Sequence, residues 1–257
     1  MYTRILTLSA VACLAAAQLN LSQACTNTLV SIASNPDVSA CLNPSALLTI
    51  ATDTSKSIVD PINNWLTGLC AAPACSNNTL AAIVANATNG CQAELAGLGF
   101  QASDAGAVTG IVQQYYPTAR KVVCLKDGNT NCVTQTLTNL QTFINPLSIQ
   151  NIISTFTSSN SPFGNGSLPT NLTCTNCIKA EYNTIDADVP GALGLWKTGA
   201  QQQCGAAFVD GTTPAGISQS ASTKTAADTQ GSGALSLGAL SAASFLVAIT
   251  TGFTVMA

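Results

Sequence analysis

One pattern occurs twice in this sequence, as Cys25-Thr-Asn-Thr-Leu-Val…Ala40-Cys41 and as Cys75-Ser-Asn-Asn-Thr-Leu…Gly90-Cys91. Each copy begins with Ala-Cys-(Thr or Ser)-Asn, continues with apolar residues and ends at a second cysteine. A further cysteine follows each copy, Cys70 after the first and Cys124 after the second. Apolar residues spaced three and four apart are typical of helices that pack on one face. The repeated stretch therefore predicts an all-α, disulfide-rich domain built from duplicated helical units.

The composition excludes several classes of function. Only 7% of the 257 residues are charged and the net charge is −3, so the chain lacks the basic surface that binds nucleic acid. The sequence contains no histidine. This excludes the Ser-His-Asp and Cys-His catalytic groups and most zinc and haem ligand sets. We predict a protein that is not an enzyme and that has no cofactor, no metal and no nucleic-acid partner.

Cysteine usage indicates an oxidising compartment. The chain has eleven cysteines, of which Cys13 lies in the N-terminal leader, so an even number remains. An even set in an exported chain is typical of a disulfide framework, here of five bonds. The predicted half-cystines are Cys25, Cys41, Cys70, Cys75, Cys91, Cys124, Cys132, Cys174, Cys177 and Cys204.

The first residues have the pattern of a secretory signal peptide, predicted over residues 1–17. Arg4 supplies the positive charge, Ile5 to Leu14 form the apolar region, and three alanines offer a cleavage site before Gln18. The apolar run is too short to cross the ~30 Å hydrocarbon core of a bilayer. We therefore expect export rather than a membrane-spanning anchor at this end.

The C-terminal end has the pattern of a GPI-anchor signal. Residues 18–209 form the predicted cysteine-rich ectodomain, and residues 210–233 form a Ser/Thr/Gly-rich linker with little to bury. Small residues, a spacer and an apolar tail then follow, so residues 234–257 are predicted to be removed during anchoring. Ser232 is the predicted attachment residue and Gly231 the second choice. A spanning helix is the alternative, and it would need cytoplasmic Lys or Arg after the span.

Start and stop signals divide the ectodomain into helices. Asn43-Pro44 predicts a helix start, and that helix is expected to run to Val59 before Pro61 breaks it. Another helix is expected to begin after Ser103 and to be interrupted at Pro117. Residues rich in Ser, Asn, Gly and Pro predict a loop over 154–171. Further helices are predicted over residues 79–87, 133–144, 178–187 and 192–203.

Five Asn-x-Ser/Thr motifs are present in this chain. Such a motif is common by chance, but an export signal makes it an acceptor for N-glycosylation. The predicted glycosylation residues are Asn20, Asn77, Asn86, Asn165 and Asn171.

Two small groups of residues invite a chemical interpretation. Cys174-x-x-Cys177 has the spacing of a redox pair or of half a zinc site, but no second pair and no histidine accompany it. We expect two structural half-cystines, each bonded to a different, distant cysteine.

Glu181, Asp186 and Asp188 have the composition of a cation site or of a glycosidase pair. Solvated charges at a helix end are the favoured interpretation.

Four aromatic residues with helical spacing are expected to belong first to the core, although a ligand site is the alternative. They are Trp65, Tyr115, Tyr116 and Trp196.

The short Cα–Cα distance of a disulfide limits which cysteines can pair. Bridged Cα atoms lie within ~7 Å of each other, whereas the helix between Cys75 and Cys91 would span about 13–16 Å. A bond between Cys75 and Cys91 would require the segment to fold back, so a bond between the first and the last cysteine of each unit is favoured. The middle cysteines, Cys41 and Cys91, would then join the two units. The predicted pairs, among roughly 945 pairings, are Cys25–Cys70, Cys75–Cys124, Cys132–Cys174, Cys177–Cys204 and Cys41–Cys91.

The cysteine order resembles a fungal family of secreted, often GPI-anchored proteins known only as a domain of unknown function. The resemblance covers Cys25 to Val209, and its most specific parts are Cys124-Leu-Lys-Asp127 and Cys204-Gly-x-x-Phe-Val209. It implies a fungal cell-surface protein and no particular activity. The chain does not resemble the compact eight-cysteine haem-capturing domain of other fungal surface proteins.

Three functions follow as expectations. The first is a non-enzymatic glycoprotein at the cell surface or in the wall, with a structural, adhesive or interaction role and with cell-wall glycans as partners. The second is a carrier of a small apolar ligand such as a lipid or sterol, which would need an apolar cavity. The third is a hydrolase of wall polysaccharide, which would need paired carboxyl groups in a groove.

Overall fold

The structure is a computed structural model that describes residues 21–157 and 169–224. Within these residues it is helical with almost no strand, which confirms the predicted all-α, disulfide-rich class. The predicted signal peptide, the GPI signal with Ser232 and Gly231, and the sequon residues Asn20 and Asn165 lie outside the described residues. The α-helices are α1 Gln23–Ser34, α2 Pro36–Leu42, α3 Leu48–Thr52, α4 Val59–Ala71, α5 Asn77–Gly90, α6 Gln92–Gly97, α7 Ala105–Val123, α8 Cys132–Gln141, α9 Ile149–Thr157, α10 Thr170–Thr173, α11 Asn176–Asp188 and α12 Gly194–Cys204.

The two copies of the repeated pattern pack against each other rather than forming separate units. The first copy contains α1 and α2, and the second contains α5. A disulfide joins Cys25, at the start of α1, to Cys91, just after the end of α5. A second disulfide joins Cys41, near the end of α2, to Cys75, just before α5 begins. The two copies are therefore antiparallel and are cross-linked at both ends.

Local sequence signals explain where these helices begin and end. Asn35 separates α1 from α2, and its side-chain oxygen accepts hydrogen bonds from the backbone N–H groups of Asp37 and Val38. Pro36 follows as the first residue of α2, where its missing N–H costs nothing. Ser76 caps α5 by accepting from the backbone N–H of Thr79.

The predicted pairing of the cysteines is wrong in all five bonds. Four of the predicted pairs assumed that a unit closes on itself, and the fifth joined the units through Cys41 and Cys91. The structure instead joins the duplicated units through Cys25–Cys91 and Cys41–Cys75. The Cα atoms of the bonded cysteines are 4.4–5.6 Å apart, within the reach of a disulfide. The observed pairs are Cys25–Cys91, Cys41–Cys75, Cys70–Cys124, Cys132–Cys177 and Cys174–Cys204.

Several helix boundaries also differ from the predictions. The helix expected from Pro44 to Val59 ends at Thr52, and Pro61 lies in the first turn of α4, where proline is tolerated. Pro117 lies inside α7 and does not interrupt it. Burial of Thr118, Arg120 and Val122 beyond the proline holds that part of the helix in place. The predicted loop over 154–171 begins instead with the last turn of α9.

Arg120 connects α7 to the C-terminal end of α4. Its side chain is buried, and its guanidinium donates a 2.8 Å hydrogen bond to the carbonyl of Leu69 and another hydrogen bond to the carbonyl of Ala72. The last carbonyls of a helix have no partner within the helix and carry partial negative charge. Arg120 therefore donates hydrogen bonds to carbonyls at the end of α4, and the partial negative charge of these carbonyls compensates the charge of the buried guanidinium.

A small antiparallel sheet extends the fold beyond the last cysteine. Its strand order is β2-β1-β3, with β1 Leu125–Asp127, β2 Thr130–Asn131 and β3 Ile217–Gln219. Lys126, in the centre of β1, pairs with Asn131 on one side and with Ser218 on the other. Gly128 makes the turn between β1 and β2 with a φ of +57°. The sheet thus draws a segment after Cys204 onto the helical body.

Residues 210–224, here called the C-terminal strap, are part of the folded body. The backbone N–H groups of Ser220 and Ser222 donate to the carbonyls of Cys124 and Cys70, at 2.9 and 2.7 Å. These two carbonyls belong to the two halves of one disulfide. The packed structure therefore continues past the boundary at 209 that composition suggests, into the first part of the predicted linker.

The cores lie between helices that are distant in sequence. One cluster packs the start of α4 against α8, α10 and the chain after α8. Its buried members are Ile58, Val59, Leu140, Ile144, Leu147 and Leu172. Another joins α7 to α11 and to the chain after α12 through Val122, Tyr182, Ile185, Leu193, Phe208 and Val209.

The antiparallel cross-link predicts a specific peptide map and a specific loss of stability. Digestion without reduction is expected to release a peptide pair that contains Cys25 and Cys91, and another that contains Cys41 and Cys75. The double variant C25S/C91S is expected to lose about 2–5 kcal/mol of unfolding free energy, because a long loop of the unfolded chain is no longer closed. Denaturant unfolding of the variant with its other disulfides intact measures this loss. Recovery of Cys25 linked to Cys70 would contradict the fold.

Arg120 provides a second test, because its contribution to stability depends on the planar guanidinium, which donates to two carbonyls at once, as well as on its charge. R120K is expected to lower the unfolding free energy by about 1.5–3 kcal/mol, since lysine cannot reach both carbonyls at once. K121M is the matched control at the next position, where a half-exposed ion pair with Asp188 contributes less than about 1 kcal/mol. Equal losses in the two variants would show that Arg120 does not hold the end of α4.

Candidate functional site

An open groove of about 250 Å³ lies between α5 and the α1–α2 pair. We call it the α5 groove. Helix α5 buries Leu80, Val84 and Thr88 on one side, so the stripe that carries Ile83 and Asn86 faces the groove. The α5 groove is the candidate site that the duplicated units build between them.

Close contact at one point and a break at another shape the α5 groove. A Cβ on Gly90 would lie 1.9 Å from Oγ1 of Thr28, so α1 and α5 touch at this glycine. The chain then turns at Asn35, where α1 gives way to α2, and residues on both sides of this turn line the groove. The groove is therefore a consequence of the broken first unit facing a continuous helix in the second.

The lining combines apolar surface with polar groups. Ile32, Val38 and Ile83 provide the apolar part. The Asn35 side chain is engaged in capping α2. Among the described residues, nothing forms a hydrogen bond with the Asp37 carboxylate or with the Asn86 side chain. These two groups are available to whatever occupies the groove.

Three of the predicted glycosylation residues lie within the described structure, and all three are exposed: Asn77, Asn86 and Asn171. Asn77 is the first residue of α5 and Asn86 lies near its other end, in the lining of the groove. Exposure leaves each amide open to modification, and occupancy stays a prediction.

A second open groove, about 480 Å³ in volume, lies beside the start of α4 and includes Asp53, Lys56 and Asp60 in its lining. Asp53 accepts hydrogen bonds from the Ser55 hydroxyl at 2.6 Å and from the Lys56 ammonium at 3.0 Å. Hydrogen bonds from Ser55, and then from Lys56, lower the pKa of Asp53 to about 2. Sequence reasoning missed this site because the helix break at Asp53 was not predicted.

Two properties of the grooves bear on the carrier and on the hydrolase: the pKa of Asp53 and the openness of each groove. A general acid in glycoside hydrolysis needs a raised pKa, whereas Asp53 stays ionised in the acidic range. A site for an apolar ligand is mostly apolar and encloses most of the ligand, whereas the α5 groove carries the Asp37 carboxylate and both grooves open to solvent.

Glu181 is not the solvated helix-end charge that the sequence predicts. It lies inside α11, only 3% exposed, between the buried residues Ala180 and Tyr182. Neither of its carboxylate oxygens accepts a hydrogen bond from a described residue. Burial raises its pKa well above 4.5. The position of Glu181 one turn after the half-cystine Cys177 was the available signal, because residues four apart share a helix face.

The other acidic residues of the predicted group do not converge with Glu181. Asp188 is at the end of α11, where its carboxylate binds the Lys121 ammonium at 2.8 Å and accepts from the Thr118 hydroxyl at 3.0 Å. Asp186 is partly exposed. The structure therefore assembles neither a cation site nor a carboxylate pair from these three residues.

The aromatic residues agree with the core interpretation. Trp196 packs against the cluster around Tyr182, and Tyr116 packs against the cluster around Cys41 and Cys75. The Trp65 indole donates to the carbonyl of Leu42 at 2.7 Å, and the Tyr116 hydroxyl accepts from the Cys75 backbone at 3.0 Å. Tyr115 is half-buried.

The Cys174-x-x-Cys177 motif is structural, as expected. Cys174 is bonded to Cys204 and Cys177 to Cys132. A three-residue cluster of Cys25, Cys91 and Glu94 has the spacing of metal ligands. Its two sulfurs form a disulfide, and Glu94 accepts a hydrogen bond from the Ser22 backbone at 2.7 Å. This cluster fastens the start of α1.

Among the described residues, no helix combines the length and the apolar character needed to cross a membrane.

Comparison with known proteins gives no relative: no family model matches the chain, and no curated protein and no solved structure is similar to it.

Glu181 and Glu94 predict opposite effects of pH on stability. The raised pKa of Glu181 means that its protonated form is favoured by folding, so its contribution is largest below pH 4.5 and is lost as pH rises toward the folded-state pKa. E181Q is therefore expected to gain stability relative to the parent as pH rises from 4.5 to 7, because the neutral glutamine side chain does not have to be ionised in a buried position.

Glu94 is the matched control. The hydrogen bond from Ser22 lowers its pKa, so its contribution is present above pH 4.5 and is lost as pH falls through the lowered value. E94Q is expected to lose stability at pH 7 and to approach the parent in acid. Urea unfolding from pH 4 to 7 measures both variants. An E181Q variant with the same pH dependence as the parent would show that Glu181 is solvated.

Proposed function

We propose that this chain is a GPI-anchored glycoprotein of the fungal cell surface or wall, with a non-enzymatic structural, adhesive or interaction role. The observation that carries the proposal is the pairing of every cysteine from Cys25 to Cys204 in a disulfide. Disulfide frameworks of this density form and persist in secreted proteins, because cytosolic thiols are kept reduced. Export to an oxidising compartment is thus the first element of the proposal.

The exposed sequons support the second element, glycosylation. A surface with only 7% charged residues in the whole chain has little charge to keep it soluble. Glycans at Asn77, Asn86 and Asn171 would supply that hydration on α5 and on α10. Cell-wall glycans are the proposed partner class, reached through adhesion or wall association rather than through catalysis.

The C-terminal strap supports a domain held near its anchor. The backbone N–H of Ala74 donates to the carbonyl of Lys224 at 3.0 Å, so the chain leaves the body beside Cys75. If Ser232 carries the anchor, residues 225–232 span at most about 30 Å, at ~3.3–3.6 Å per residue. The proposed tether is therefore short, and it starts at the Cys41–Cys75 end of the duplicated units.

The anchor is tested on intact cells. A phosphatidylinositol-specific phospholipase is expected to release the full-length protein, and deletion of residues 245–257 is expected to send the domain into the medium without the enzyme. The measurement is immunoblotting of cell and medium fractions. A protein that resists the phospholipase, and that loses its membrane association only with F245K in the tail, would instead have a spanning helix.

A further inference from the structure

The two sequons of α5 lie in different surroundings. Asn77 is the first residue of the helix and is not part of the α5 groove. Asn86 lies nine positions further along the same helix, and its exposed side chain is part of the groove lining. A sugar attached to Asn86 would thus begin inside a concave surface, whereas a sugar on Asn77 would begin in open solvent.

The size of the groove suits one or two sugar rings that arrive covalently attached. Its volume of about 250 Å³ is below the ~300–1,000 Å³ of typical sites for free small molecules. A tethered group, by contrast, is present at an effective concentration in the millimolar range, and so it can occupy a site that is too weak for a free ligand.

The lining matches the two surfaces of an N-acetylhexosamine. The C–H face of a pyranose ring is apolar and can pack on Ile83 and Ile32. Its hydroxyl and amide N–H groups are donors, and the Asp37 carboxylate is an acceptor that no described residue uses. A hydrogen bond to an ionised carboxylate is stronger than one between neutral groups.

We propose that the α5 groove holds the core sugars of an N-linked glycan attached to Asn86, which pack between α5 and the α1–α2 pair. The bond forms between Nδ2 of Asn86 and C1 of the first sugar. The bond that breaks joins C1 of the sugar to the lipid-linked diphosphate of the donor, which is the leaving group. The side-chain amide of Asn86 loses one proton. The inference rests on the proposed glycoprotein and adds to it that one glycan is a packed part of the fold.

The sequon threonine indicates when the attachment takes place. Thr88 is buried, and its hydroxyl donates to the carbonyl of Val84 at 2.8 Å or to that of Ala85 at 3.1 Å. A transferase that reads this hydroxyl needs it exposed, so the sugar is added before α5 packs into the fold. The groove then closes beside a sugar that is already in place.

The test is site-resolved deglycosylation of the native, secreted protein with peptide-N-glycosidase, followed by mass spectrometry of the peptides that contain Asn77 and Asn86. We expect the Asn86 glycan to be removed at least about tenfold more slowly than the Asn77 glycan, and the difference to vanish after reduction and denaturation. Equal native rates would overturn the inference. An occupied Asn77 with a bare Asn86 would also overturn it, whereas bare asparagines at all five sequons would overturn the proposed glycoprotein itself.

A pair of variants separates docking in the groove from simple crowding. Ala82 and Ala85 are both exposed on α5, but only Ala82 lines the groove. A82W is expected to fill the groove and to bring the Asn86 rate to that of Asn77. A85W, the matched control, is expected to leave the protection intact. Protection that survives A82W would show that the sugar does not lie in the groove.

Discussion

The double cross-link between the duplicated units is the constraint on which the rest of the molecule depends. Disulfides at both ends hold α1–α2 and α5 antiparallel, with Cα separations of 4.4 and 5.0 Å. The repeated pattern spaces the two cysteines equally in both copies, and both bonds form between the antiparallel segments. The contact of Gly90 with Thr28 then sets how closely the helices approach, and the break at Asn35 leaves the groove that we assign to a glycan.

The second half of the molecule is held around a polar helix rather than an apolar one. Glu181, Tyr182 and Asn183 are consecutive and all buried, so α11 is covered on several sides. The C-terminal strap contributes to this cover, since the Asn183 amide donates to the carbonyl of Thr212 at 2.9 Å and Lys179 forms an ion pair with Asp210. Hydrogen bonds from Thr212, and then Lys179, lower the pKa of Asp210 to about 2. A segment with little to bury therefore packs through hydrogen bonds and charge.

These features connect the proposed function to the fold. The strap ends beside Cys75, so a short tether would pull on the same end of the molecule that carries the Cys41–Cys75 bond. A disulfide resists such a pulling force better than packed side chains do, because a covalent bond must break before the joined segments can separate. A sugar in the groove would add contacts between α5 and α2, starting from Asn86 near the other end of α5. A tether and a cross-link at one end, with a glycan further along α5, fit the proposed surface protein with a mechanical or adhesive role.

The sequence by itself determined the helical class, the oxidised cysteines and the structural nature of Cys174 and Cys177, because periodicity, parity and missing ligands are local or countable properties. It also predicted the cores of α5, α8, α11 and α12 within a few residues of their observed bounds. Only the tertiary structure decided the cysteine partners, the burial of Glu181 and the helical path through Pro117, since each depends on segments distant along the chain. The groove at Asn86 arises in the same way: it exists only where two helices face each other, and no single helix encodes the neighbour it will meet.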